Sequence, residues 1–344
     1  MARSPIAERL TAQGLSGPPL SRPDDVAERL LAVQAQDPRG ARLAVRARTA
    51  GLRAGDVDRA LSKDRSLLIS WLNRGTLHLI RSEDYPLLQQ LTTPPLMTSN
   101  ASRLSQEGVS PEAAERGAKT IERVLATEGP LTRPQLRERL DSAGVPTAGQ
   151  ALVHLLFRAA LLGIAIRGPM VGKEHAFVLV RDWLGPQKKP GDRDAALSEL
   201  ARRYLVGHGP AGDRDLARWA GLALRDARAG LTAIAPQLEQ RQDGLLDLAK
   251  RPAAEPLSPP RLLGAFDPLL LGWVSREEIV GPHKMLVTNN GIFRPFALVG
   301  GRAVSTWRFQ AGKVMIEHLG KVSRKAAAAL DRDARAVEEF MAPR

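Results

Sequence analysis

The sequence has no cysteine. Disulfides, thiolate metal ligands and cysteine nucleophiles are thereby excluded. Aromatic residues are few, with five Trp, seven Phe and two Tyr in 344 residues. Long apolar runs are missing too. The longest uncharged one, residues 159–166, falls far short of the roughly 20 residues that a membrane helix needs. Residues 1–10 lack an apolar core of signal-peptide length, so the chain is expected to be cytosolic and, in a bacterium, close to the nucleoid. No His, Asp and Glu grouping has metal-ligand spacing, and no glycine loop has phosphate-binding form, so neither metal nor cofactor is expected. Acid is scarce relative to base: 50 Lys and Arg face 37 Asp and Glu, a net charge of +13. Such a balance favours a polyanionic partner, nucleic acid first. An arginine-rich genome is the competing explanation.

What is present is a recurring opening. Gly17-Pro18, Gly129-Pro130 and Gly209-Pro210 each precede a short polar lead and an amphipathic helix. A turn followed by such a helix opens a helix-turn-helix unit, and three openings imply three related modules. Helices are expected over 7–13, 23–33, 38–49 and 57–63, with a hairpin of 67–72 and 75–80. In the second module, helices over 121–128, 134–141 and 147–162 lead into strands 164–167 and 176–180. Three helices and a hairpin are the order of a winged helix. The third module repeats it with helices over 195–207, 213–220 and 224–234 and a wing at 239–248. Residues 251–260, rich in Pro and Ala, lead into a β-rich tail with strands at 284–288, 292–299, 302–307 and 313–319, closed by a helix over 324–340. The expected fold is α+β and mainly helical: winged-helix modules at 1–115, 116–190 and 191–255, then a β-rich segment at 256–344. A linker is expected at 185–190.

Gln34-Ala35-Gln36-Asp37-Pro38 stands where one helix ends and another begins. Asp37 suits an N-cap and Pro38 the first helical position. At such a junction the two carboxamides can converge, which i,i+2 positions within a helix cannot do. A structural role, with both amides capping the junction, competes with a catalytic one. Asp37 could alternatively serve as a base. Arg39, Arg42, Arg46 and Arg53 fall in one stripe if a helix runs through them, a surface for phosphates or simply a solvated face. Arg74, Arg167 and Lys173, on hairpins, are further candidates for DNA contact. His78 lies opposite Leu77 and Leu79, which suits a core histidine near the glutamines, with DNA contact the alternative. Asp267, before Pro268, suits a turn or cap, with a place in a cleft as the other option. The five tryptophans read as core anchors.

Gln34-Ala35-Gln36, Asn73-Arg74-Gly75-Thr76-Leu77-His78-Leu79, Leu263-Gly264-Ala265-Phe266-Asp267-Pro268-Leu269 and Asn290-Gly291-Ile292-Phe293-Arg294-Pro295, in this order, resemble the AlkZ-like branch of the HTH_42 superfamily of bacterial DNA glycosylases. The YcaQ-like sister branch has Gln-x-Asp, so Gln36 points to the AlkZ-like side. The resemblance covers nearly the whole chain. It implies three tandem winged-helix motifs in a C-shaped arrangement and excision of N7-alkylated purines from double-stranded DNA, crosslinked ones included. It also implies a metal-free catalytic pair, Gln34 and Gln36. The expected enzyme is a monomeric, monofunctional glycosylase without lyase activity, in general repair or antibiotic self-resistance. The alternative is a non-enzymatic winged-helix regulator or architectural protein.

Overall fold

The computed structural model describes residues 5–172, 174–186, 191–288 and 290–342. It is a mixed fold, mainly helical, with antiparallel sheets. The chain forms two compact units: residues 1–58 together with 194–344, and residues 59–193. The four consecutive ranges read from the sequence group the chain differently, because the second unit takes in part of the first range.

The 59–193 unit is built on antiparallel strands that are mostly apolar and largely buried. Leu67–Trp71 and Leu77–Arg81 pair antiparallel with Ser70 opposite His78. Ala165–Val171 and Glu174–Leu179 form a second hairpin, and Ile69 opposite Arg167 joins the two. Three helices precede the second hairpin, Pro111–Glu128, Arg133–Ser142 and Ala151–Leu161. The first is capped by Ser110, whose hydroxyl accepts from the Ala113 N–H at 3.2 Å. Thr132 starts the second, and its N–H donates to Gln135 Oε1 at 2.8 Å. Each cap satisfies a donor that a helix start leaves orphaned. Leu125, Leu136, Leu140, Leu155 and Phe177 meet in the core beneath. The order of three helices and a hairpin therefore stands for this module. Two helices the periodicity did not single out, Tyr85–Thr92 and Met97–Gln106, lie between the first hairpin and this bundle.

In the other unit, Arg193–His208, Asp213–Ala220 and Leu224–Ala233 are followed by the small hairpin of Leu238–Gln240 and Leu246–Leu248. A four-stranded antiparallel sheet runs in the order Lys313–His318, Arg302–Gln310, Phe296–Val299, Arg261–Leu263. The helix Arg324–Met341 packs against it. Two expectations are corrected here. Lys284–Leu286 form a short 3-10 turn, with Leu286 N–H bonded to His283 O at 3.0 Å, and an isolated antiparallel bridge between Val287 and Phe293 stands where a strand pair was expected. The following strand begins at Phe296 rather than 292, since Pro295 has no N–H to give a neighbour. The linker expected at 185–190 falls largely outside the described residues.

Candidate active site

The glutamine motif is set by two helix ends. The helix Pro23–Leu30 stops three residues earlier than its apolar period suggests, because Leu31 adopts φ 61°. That conformation is disfavoured for any residue with a Cβ. The chain then extends through Val33 and Gln34. In extended backbone, alternate side chains share a face. Gln34 and Gln36 thus project together, while Ala35 between them is buried. Gln34 Nε2 donates a hydrogen bond to Gln36 Oε1 at 2.6 Å. Gln34 is only 6% exposed, whereas Gln36 lies open to solvent. A buried amide thereby orients an exposed one.

Asp37 caps the next helix, Pro38–Arg46: its Oδ1 accepts from the Arg39 N–H at 2.9 Å and the Gly40 N–H at 3.2 Å. This carboxylate is committed to the helix start, where the dipole favours it. Gly40, one turn in, lies against the backbone of Ala265. A Cβ there would stand 2.3 Å from the Ala265 carbonyl oxygen. Glycine is costly in a helix, and close approach explains its presence here. At the far end of this helix Arg48, fully buried, binds both carboxylate oxygens of Asp267 at 2.9 and 3.0 Å. It also bonds Gln13 through its side-chain and backbone oxygens, both at 2.8 Å. Asp267 accepts from the Leu269 N–H at 2.9 Å as well. Asp267 is therefore a core anchor and cap and does not line a cleft, since all its surface is enclosed. Arg48 and Gly40 escaped the sequence reading. Their only signal was an arginine and a glycine where apolar or helix-forming residues would serve better.

The arginine stripe differs from expectation. The helix ends at Arg46, and the chain turns at Gly51, φ 73°, so Arg53 is not on it. Arg42 Nε bonds Asp58 at 2.7 Å. Arg46 grips both oxygens of Asp333, at 2.5 and 2.8 Å, and is only 11% exposed. Arg53 pairs with Glu339 at 3.0 Å. Acids distant in sequence thus neutralise three of the four. Arg39, three residues after Gln36 in sequence, has no carboxylate partner among the described residues; its guanidinium carbon lies 5.2 Å from the Phe309 ring centre, and Nη1 donates to Phe309 O at 3.3 Å.

In the 59–193 unit, His78 is buried and its Nδ1 lies 2.9 Å from Thr76 O. Burial, and next the Arg74 charge, draw its pKa down to about 3, so the ring is neutral. Arg74 sits at the hairpin turn with φ 57°. Arg167 lies mid-sheet, not at a wing tip, opposite Phe177. Lys173 lies outside the described residues. Trp183, Trp219, Trp273 and Trp307 are buried, while Trp71 is partly exposed. Among the described residues, no group of three or more His, Cys, Asp or Glu is placed to hold a metal ion. No helix among them is long and apolar enough to cross a membrane.

The model of the family described as DNA glycosylase AlkZ-like matches residues 27–340. That span holds the glutamine pair, the capped helix and the Arg48–Asp267 anchor. The chain belongs to the AlkZ-like DNA glycosylase family. It is 29% identical to the interstrand DNA cross-link repair glycosylase of Streptomyces sahachiroi, with 96% of this chain and 94% of that protein covered. The solved structure of the S. sahachiroi DNA glycosylase AlkZ superposes with a TM-score of 0.81 at 26% identity, over 99% of this chain and 97% of that one. For an AlkZ-like protein the site offers two neutral amides and no ionisable group within the pair. Such a pair can donate and accept hydrogen bonds but cannot itself act as a general acid.

Proposed function

We propose that this AlkZ-like DNA glycosylase hydrolyses the N-glycosidic bond of N7-alkylated purines in double-stranded DNA, with Gln34 and Gln36 as the catalytic pair. The observation that carries the reading is the 2.6 Å bond between a buried and an exposed amide. An N7-alkylated purine is cationic, so it departs without protonation. What remains is to stabilise the sugar cation and place a water. Gln36 Oε1, with one lone pair engaged by Gln34, has a second for that water. Accepting from Gln34 polarises the Gln36 amide and strengthens its Nε2 donors toward sugar or phosphate oxygens. Holding the water in one orientation removes entropy from the barrier in advance.

Interstrand crosslinks and bulky antibiotic adducts are substrates of the same chemistry, and the likeness to a cross-link repair glycosylase supports including them. A lyase step would call for a nucleophilic lysine, and the one nearest the pair in sequence is Lys63, which supports hydrolysis without strand cleavage. Arg39, exposed and three residues after Gln36 in sequence, is the arginine we assign to a phosphate contact. We place the protein as a monomer in the bacterial cytoplasm, at the nucleoid.

The deciding experiment incubates the purified protein with a duplex carrying one N7-methylguanine. Free 7-methylguanine and an intact strand that breaks only on alkali treatment are expected. Tight, salt-sensitive binding with no base released would instead support the non-enzymatic winged-helix reading.

A further inference from the structure

Partly buried arginines in this protein are commonly matched by a carboxylate: Arg46 by Asp333, Arg48 by Asp267, Arg81 by Asp84 and Arg251 by Asp247. Arg133 and Arg167, both in the 59–193 unit, break this pattern. Neither makes a hydrogen bond or ion pair with any described residue, and Arg133 Nε is buried without a partner. An unpaired buried donor costs free energy, the more so on a cation.

The two are brought together by the sheet. Arg167 is opposite Phe177, and Phe177 exchanges backbone bonds of 2.7 and 3.2 Å with Leu131, two residues before Arg133. The Arg167 guanidinium carbon stands 4.4 Å from the Phe177 ring centre and 5.2 Å from that of Trp71. Those rings are nearly parallel, 16° apart in plane. The aromatic faces hold the cation in place but supply no hydrogen-bond acceptor for its N–H groups. Burial lowers the Arg167 pKa to about 10, the Arg133 charge pushes the same way, and Glu174 opposes them only in part. At neutral pH the group remains charged. Arg133 opens its helix, where the backbone dipole also favours an anion.

We propose that Arg133 and Arg167 form a seat for one phosphodiester of the DNA backbone, built on Trp71 and Phe177. The inference rests on the reading of the chain as a DNA-acting protein and adds a contact made by this module alone. Two guanidiniums without hydrogen-bond or ion-pair partners among the described residues satisfy the non-bridging oxygens of a phosphate and gain partners there. The seat is sequence-blind and serves to fix register.

The test uses the full-length protein and an undamaged fluorescent duplex, with anisotropy read from 0.05 to 0.3 M NaCl. Thermal melting is measured on the same samples without DNA. The variants are Arg133→Gln, Arg167→Met, their combination, and Arg228→Gln as a control matched in charge to each single variant, since Arg228 already pairs with Asp213. The combined variant is expected to bind about tenfold more weakly at 0.1 M salt and to lose about 1 from the salt slope. The melting temperature of Arg167→Met should hold or rise, because a cation without an internal partner is removed. The control should match wild type. If wild type shows salt-dependent binding and the combined variant matches it, the seat is overturned while the DNA reading stands. A fall in melting temperature with unchanged affinity overturns it too, by making the arginines structural. Absence of wild-type binding would overturn both.

Discussion

Gln34 and Gln36 are joined side chain to side chain, the buried amide donating to the exposed one at 2.6 Å. A pair built this way acts as a unit. Removing Gln34 frees Gln36 to rotate; removing Gln36 takes away the group that reaches the substrate. Gln34→Ala and Gln36→Ala should each lower single-turnover base release by about 10²-fold, the usual loss for one preorganised donor or dipole. The double variant should be little worse than the poorer single. Losses that multiply would show that the two amides act independently.

The anchor at the other end of the motif helix has its own signature. Asp267→Ala leaves Arg48 buried and unpaired, which should cost about 3–5 kcal/mol. Replacing both, as Arg48→Met with Asp267→Leu, should recover at least half of that loss. Urea unfolding followed by circular dichroism checks it. A double variant as unstable as Asp267→Ala would mean that the segment needs the carboxylate as a cap rather than as the partner of Arg48.

His78 gives a pH dependence. Its pKa is about 3 in the folded protein, below the 6.5 of an unfolded histidine. The unfolded chain therefore binds the extra proton first. The stabilisation is complete above pH 6.5 and is lost as pH falls from there toward 3, at about 1.4 kcal/mol per unit. Between pH 7.5 and pH 5, wild type should lose about 2 kcal/mol more than His78→Gln. Equal losses would mean that the ring protonates as easily inside the protein as outside it.

The sequence carried the local structure near the motif well. Asp37-Pro38 fixes a helix start through backbone chemistry that acts within four residues, and the third module's Asp213–Ala220 helix is bounded as its amphipathic period implies. It could not show what depends on the chain's return. Arg46 meets Asp333 across 287 residues of sequence, so a stripe without nearby acids became a set of ion pairs. Leu31 takes a positive φ that no propensity favours, and that shortens a helix the pattern extends. Arg167 looked like a wing charge because the hairpin was legible and the rings beneath it were not. The convergence of Gln34 and Gln36 was legible because an extended i,i+2 pair needs only two residues to define it.

The account depends on a leaving group that already bears a charge. Its most direct test compares single-turnover base release from two otherwise identical duplexes, one with N7-methylguanine and one with hypoxanthine, a neutral purine. The account predicts release of 7-methylguanine and no detectable hypoxanthine over the same time. Comparable release of both would contradict it, since two uncharged amides cannot protonate a neutral base.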